Sequence, residues 1–181
     1  MKKSKSGFTL IELLVVVVVI GILAGIVLVS YNSTQARSRD ARRKTDVANI
    51  IKAMELYYGD KGEYPRPAGA TGSAINGAWY VSADSSWDIF NTTMTNADAI
   101  DALPVDPRNT PGNTQLANIY SYAVYVNGST YCGASPGQMY LIIWRYETAP
   151  KERSSEGNCT TSALGDGYYS DGNSYYRNSK I

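Results

Sequence analysis

One stretch constrains this chain more than any other: Phe8 to Val29, 22 residues that are almost all apolar, with a single charge, Glu12, near the start. As an α-helix rising about 1.5 Å per residue it reaches roughly 33 Å, enough to cross a bilayer core of about 30 Å. An ionised carboxylate in such a segment costs several kcal/mol unless something pairs with it, so Glu12 is the first candidate functional residue. If the chain is cut between Gly7 and Phe8, the new α-amino group is a cation about one turn from Glu12. That amine can neutralise Glu12 within one helix, or between axially staggered copies, where the pairing also sets the register of assembly. The plainer alternative is a membrane anchor whose Glu12 snorkels to the headgroups.

The flank carries more than a charge. Lys2-Lys3-Ser4-Lys5-Ser6-Gly7 followed by Phe8-Thr9-Leu10-Ile11-Glu12 resembles the class III signal of type IV pilins and type II secretion pseudopilins. In that family a short basic leader and a glycine precede Phe-Thr-Leu-Ile-Glu and an apolar helix. The resemblance implies cleavage after Gly7 by a prepilin peptidase, N-methylation of Phe8, and Glu12 as the fifth residue of the mature chain. It also implies a pilin-like α+β fold, a long N-terminal helix on a small antiparallel sheet. The chain then divides into a leader (1–7), the membrane or filament-core half of the helix (8–30), and the rest of the helix with the head (31–181). The close similarity covers roughly residues 2–30, with weaker echoes to about residue 147.

A secretory signal peptide is the rival for the N-terminus, but it needs a small-residue cleavage site after the apolar run. Ala24-Gly25 and Val29-Ser30 match poorly, and Glu12 sits badly in such a segment.

Composition narrows the remaining choices. The chain has no histidine, which removes histidine-based acid–base catalysis and the commonest zinc ligand. Its formal charge is +1; without Lys2, Lys3 and Lys5 it would hold 14 basic against 16 acidic side chains, so no global field favours nucleic acid or anionic lipid. Fifteen tyrosines against two phenylalanines point to partly wet sheet and interface surfaces rather than to an enzyme.

Beyond Ser30 the helix is expected to continue to about Tyr58, with Val47, Ile50, Ile51, Met54 and Tyr57 or Tyr58 on one face. Lys44, Asp46, Asn49, Lys52 and Glu55 fall largely on the other. Arg37 to Lys44 holds five cations and one carboxylate, and reads as a solvated face meeting lipid headgroups before assembly and acidic neighbours afterwards. A DNA-binding patch is the sharper alternative, without the interleaved aromatics such surfaces use. Gly59-Asp-Lys-Gly62 stops the helix. Glu63-Tyr64-Pro65 echoes the family's Gly-x-Tyr-Pro turn. Trp79-Tyr80-Val81 is a candidate strand, and Ser86 to Leu103 a short helix ended by Pro104.

Leu103-Pro-Val-Asp-Pro107 is the second family echo. Strands are expected at Ile119–Val126 and Gln138–Glu147, and a terminal hairpin at Gly167–Ser170 and Asn173–Arg177 across Asp171-Gly172.

Three further constellations are candidates. Gly21 and Gly25 form a Gly-x-x-x-Gly pair that lets helices approach closely, although glycine is also simply common in membrane helices. Cys132 and Cys159 have 26 residues between them. A disulfide closing that loop would add roughly 3–4 kcal/mol in an oxidising compartment, in a place similar to the C-terminal loop of major pilins; two free thiols are the alternative. Asp106, Asp166 and Asp171 invite calcium, because major pseudopilins bind it after the Leu-Pro-x-Asp-Pro element. The spacing matches no EF-hand, so no cofactor is expected.

The expected function is a structural subunit, waiting in the cytoplasmic membrane with leader inside and head outside, then built into an extracellular homo-oligomeric filament. The resemblance names its partners as a prepilin peptidase, a membrane assembly platform and a motor ATPase. A type II secretion pseudopilin is the near alternative; a membrane-anchored binding protein that never polymerises is the distant one.

Overall fold

The computed structural model describes residues 9–66, 77–111, 120–157 and 169–180, with backbone alone for 26–30, 77 and 78. Its spine is α1, Leu10–Lys61, one helix of 52 residues or about 78 Å. No proline interrupts it, and it runs unbroken through Gly21 and Gly25. Gly62 ends it in the left-handed conformation (φ 71°), its N–H donating to the Tyr58 carbonyl at 2.8 Å. A side chain at that φ would be strained, which is why a glycine marks the stop.

The head is a five-stranded sheet: β1 (Gly77–Val81), β2 (Ala123–Asn127), β3 (Met139–Trp144), β4 (Arg153–Gly157) and β5 (Ser174–Ser179). The order is β1-β2-β3-β5-β4, with every pair antiparallel except β4 with β5. α2, Ser86–Asn96, packs beside β1. Alternation along the strands builds two layers of core. Tyr80, Val124, Val126, Tyr140, Ile142 and Tyr176 face the helices, meeting Val47, Ile50 and Met54 of α1 and Trp87, Phe90 and Met94 of α2. Trp79, Tyr125, Leu141, Ile143 and Tyr175 fill the opposite face with Tyr131, Cys132 and Tyr169 packed against them. β3, paired on both edges and buried on both faces, is the centre of the head.

Several expectations change. The sheet is not wholly antiparallel, because β4 joins β5 in parallel. α2 stops at Asn96, not near Leu103: Asp98 takes a left-handed φ of 52°, and the Asn91 side chain accepts the Leu103 N–H at 2.6 Å, folding the segment back. β2 starts at Ala123, while part of the expected strand falls among residues outside those described. The terminal hairpin does not form. Tyr169-Ser170 is helical, and β5 inserts between β3 and β4.

Candidate assembly site

The first half of α1 has no core to join. From Leu10 to Leu23 its large apolar side chains are 48–85 % exposed. A continuous apolar surface of that length demands cover, by lipid or by other helices. Among the described residues no helix is long and apolar enough to cross a membrane. The described apolar run, Leu10–Gly25, is about 24 Å, and the expected span extends beyond it at both ends.

Glu12 sits at the start of this surface, in a shallow hollow lined with Ile11, Val15 and Val16. Its carboxylate accepts the Thr9 N–H and the Thr9 hydroxyl, both at 2.7 Å, while the Glu12 N–H donates to the Thr9 hydroxyl at 3.4 Å. This reciprocal capping box satisfies the N–H groups of Thr9 and Glu12 and turns Glu12 toward the chain end. Gly7 and Phe8 lie outside the described residues. Gly21 and Gly25 have nothing within 4 Å of where a Cβ would stand. At 100° per residue they fall on the side of α1 away from Glu12, leaving a bare groove there.

The second half of α1 is fixed to the head by buried charge. Arg43, wholly buried, donates from Nε and Nη2 to both oxygens of Asp106 at 2.7 and 3.0 Å. Its Nη1 donates to Asp40 and Glu147, each at 2.8 Å. Arg39 grips Glu147 with two bonds of 2.7 Å. Asp40 also accepts the backbone N–H of Glu147, Thr148 and Ala149 and the Thr148 hydroxyl, at 2.8–2.9 Å. Burial pushes the Asp40 carboxyl up, but those bonds outweigh it and hold it at about 2. Burial likewise pulls Arg43 down, and its bonds to Asp106, Glu147 and Asp40 more than reverse that. The Arg39 bonds hold Glu147 below the usual carboxylate range.

So the 37–44 run is not a solvated face throughout: two of its five cations, Arg39 and Arg43, turn inward. The expected polar side of α1 is corrected further along as well. Asp46 is buried and accepts the Tyr122 hydroxyl at 2.8 Å. Glu55 gathers Tyr64, Tyr140, Asn178 and Lys180 at 2.9–3.2 Å. Several buried tyrosines thus serve as core with a bonded tip, joining helix to sheet.

Of the calcium candidates, Asp106 is committed to Arg43 and to the Arg108 N–H at 2.8 Å, and Asp171 is exposed. Asp166 lies outside the described residues, among which no three histidine, cysteine or carboxylate residues are grouped to hold a metal. Cys132 is disulfide-bonded, with a left-handed φ of 52°. Cys159 lies outside the described residues.

With this geometry in view, the relatives fall into place. Residues 2–28 match the prokaryotic N-terminal methylation motif. The chain is similar to the fimbrial protein EcpC of Eikenella corrodens, 37 % identical over 100 residues, covering 52 % of this chain and 65 % of that protein. It is 40 % identical to the type IV major pilin protein PilA of Myxococcus xanthus over 68 residues, 38 % of this chain and 31 % of that one. It is 29 % identical to the type II secretion system core protein G of Aeromonas hydrophila over 75 residues, 41 % and 52 % of the two chains. The match thus spans about a third to two thirds of the length of these curated relatives. No solved structure matches. The motif and these relatives together support the type IV pilin and pseudopilin family for this chain.

Proposed function

We propose that this chain is the structural subunit of a type IV pilus-like filament and not an enzyme. One observation carries the reading: an exposed apolar half-helix, opened by Thr9 and Glu12, stands on a head that has no need of it for its own core. A prepilin peptidase cuts after Gly7, the amine of Phe8 is methylated, and the prepilin rests in the cytoplasmic membrane with its head outside. A platform and motor ATPase then draw it out, and the apolar halves of many copies bury one another in the filament core. There the Phe8 amine of one subunit meets Glu12 of another, which removes two unpaired charges from an apolar interior. The Gly21–Gly25 groove on the far side of the helix takes a second neighbour. The clamp around Arg43 fits this work, since it passes load from shaft to head through charge-assisted bonds.

A type II secretion pseudopilin would use the same parts, as the similarity to a core protein G allows. The test is intact-mass analysis of sheared fibres. The expected chain begins at Phe8 and carries one additional methyl group; a chain beginning at Met1, with no fibres, would return the protein to a membrane anchor. Loss of secreted enzymes on deletion, without surface fibres, would select the pseudopilin.

A further inference from the structure

Where α1 leaves the head, a hollow of about 440 Å³ lies between one stripe of the helix and the turn after β3. Ser33, Arg37, Asp40, Ala41 and Lys44 form one wall, Thr148 and Ala149 the other. Its only carboxylate, Asp40, is already committed to Arg43, three backbone N–H groups and the Thr148 hydroxyl. Its two cations are differently placed. Lys44 shares Glu152 at 2.8 Å, with both side chains about half exposed. Arg37 is exposed and makes no ion pair among the described residues. The hollow is therefore a positively charged cup with no free acid inside it.

Its position along the helix says what can fill it. If the apolar run to Val29 lies in hydrocarbon, Arg37 stands eight residues, about 12 Å, further along the axis. The headgroup layer is about 5–8 Å deep on each side of the core. Helical side chains lean toward the N-terminus, here toward the membrane, and arginine reaches further still by snorkelling. The guanidinium of Arg37 thus falls at headgroup depth.

We propose that the membrane-facing mouth of this hollow, at Ser33 and Arg37, binds the headgroup of an anionic phospholipid in the leaflet facing the head, with the Arg37 guanidinium as the principal contact. The proposal rests on the membrane-anchored reading given above. It assigns the lipid to a built cup, not to diffuse attraction along the helix.

The experiment uses the full chain in nanodiscs of equal parts phosphatidylglycerol and phosphatidylcholine, with the lipids retained after mild detergent extraction counted by native mass spectrometry. Phosphatidylglycerol should be enriched, and Arg37→Gln should cut that enrichment about fivefold, the worth of one cation at a membrane surface. Arg42→Gln removes the same charge from a side chain outside the hollow, paired with Asp46 at 3.5 Å, and should leave the enrichment intact. Equal losses from both variants would overturn the proposal in favour of diffuse attraction. Abolition by millimolar inorganic phosphate would reveal a free-anion site, and also overturn it. Absence of lipid preference, with Arg37→Gln still shortening fibres, would give the hollow to an acidic protein surface instead. Failure of the wild-type chain to resist carbonate extraction would sink the membrane reading itself, an outcome separate from all of these.

Discussion

Arg43 and Asp106 lie 63 residues apart in sequence and 2.7 Å apart in space, both side chains fully buried. This pair joins the shaft helix to the Leu-Pro-Val-Asp-Pro segment, and through Glu147 to the turn that follows the central strand. Arg43→Met keeps the bulk but leaves Asp106, Asp40 and Glu147 without their shared guanidinium. Breaking a buried pair on one side costs about 3–5 kcal/mol. Chemical denaturation should show the midpoint falling accordingly, with the far-ultraviolet helix signal of α1 largely kept in the native state. Arg43→Met combined with Asp106→Leu should recover part of the loss; equal stability of Arg43→Met and wild type would dismiss the clamp.

This relationship was the part the sequence hid best. Helical periodicity exposed Val47, Ile50 and Met54 because apolar spacing reports a buried face directly. The same spacing carries Ala36, Asp40, Arg43 and Val47 inward, but a run of five cations reads as solvent-facing unless its partners are known. Those partners, Asp106 and Glu147, arrive from loops more than 60 residues away. β4 was missed for a related reason: Arg-Ser-Ser-Glu-Gly has neither alternation nor β-branched residues, and is held as an exposed edge by β5. The terminal hairpin failed because Ser174–Ser179 gains more by pairing with β3 across Leu141 and Ile142 than by closing on a local turn. The apolar half-helix and its Glu12 needed no tertiary information, since their signal is that nothing covers them.

Acid should loosen the same clamp. The folded head holds Asp40 near 2, below the ordinary carboxylate value of about 4, so protonation favours the unfolded chain. Glu147 is lowered too and acts in the same direction. Their contribution is whole above about pH 5 and drains away as the pH falls toward 2. For Asp40 alone it is on the order of 2 kcal/mol. Denaturant midpoints measured from pH 6 down to pH 2.5 should fall for the wild type. Asp40→Asn should start lower and show a shallower slope; parallel slopes would remove Asp40 from the acid response.

The disulfide is testable without a structure. Cys132 is bonded on the sheet face opposite the helices, packed with the Leu141 and Ile143 layer. A link to Cys159 closes a loop that should add roughly 3–4 kcal/mol. Peptide maps run with and without reductant should differ by one Cys132–Cys159 pair, and Cys132→Ser should lower the melting temperature. Quantitative alkylation of both thiols without reductant would show that packing alone holds the segment.

Glu12 does two things, and two substitutions separate them. Its carboxylate caps α1 through Thr9, and in the proposed filament its charge meets the amine of another subunit. Glu12→Val abolishes both, at about 1 kcal/mol for the cap. The head should still fold, because the first buried position among the described side chains of α1, Ala36, lies 24 residues or about 36 Å away. Membrane levels should therefore stay normal while an incoming amine is left buried without a counter-charge, a cost of about 3–5 kcal/mol. That is more than a hundredfold in affinity per added subunit, and growth should stop. Glu12→Gln keeps a carbonyl oxygen to accept from Thr9 but carries no charge. It should fail as Glu12→Val does, with fibre yield measured by shearing and membrane abundance by immunoblot. Normal fibres from Glu12→Gln would assign the residue to the cap alone. Normal fibres from Glu12→Val would end any assembly role for Glu12.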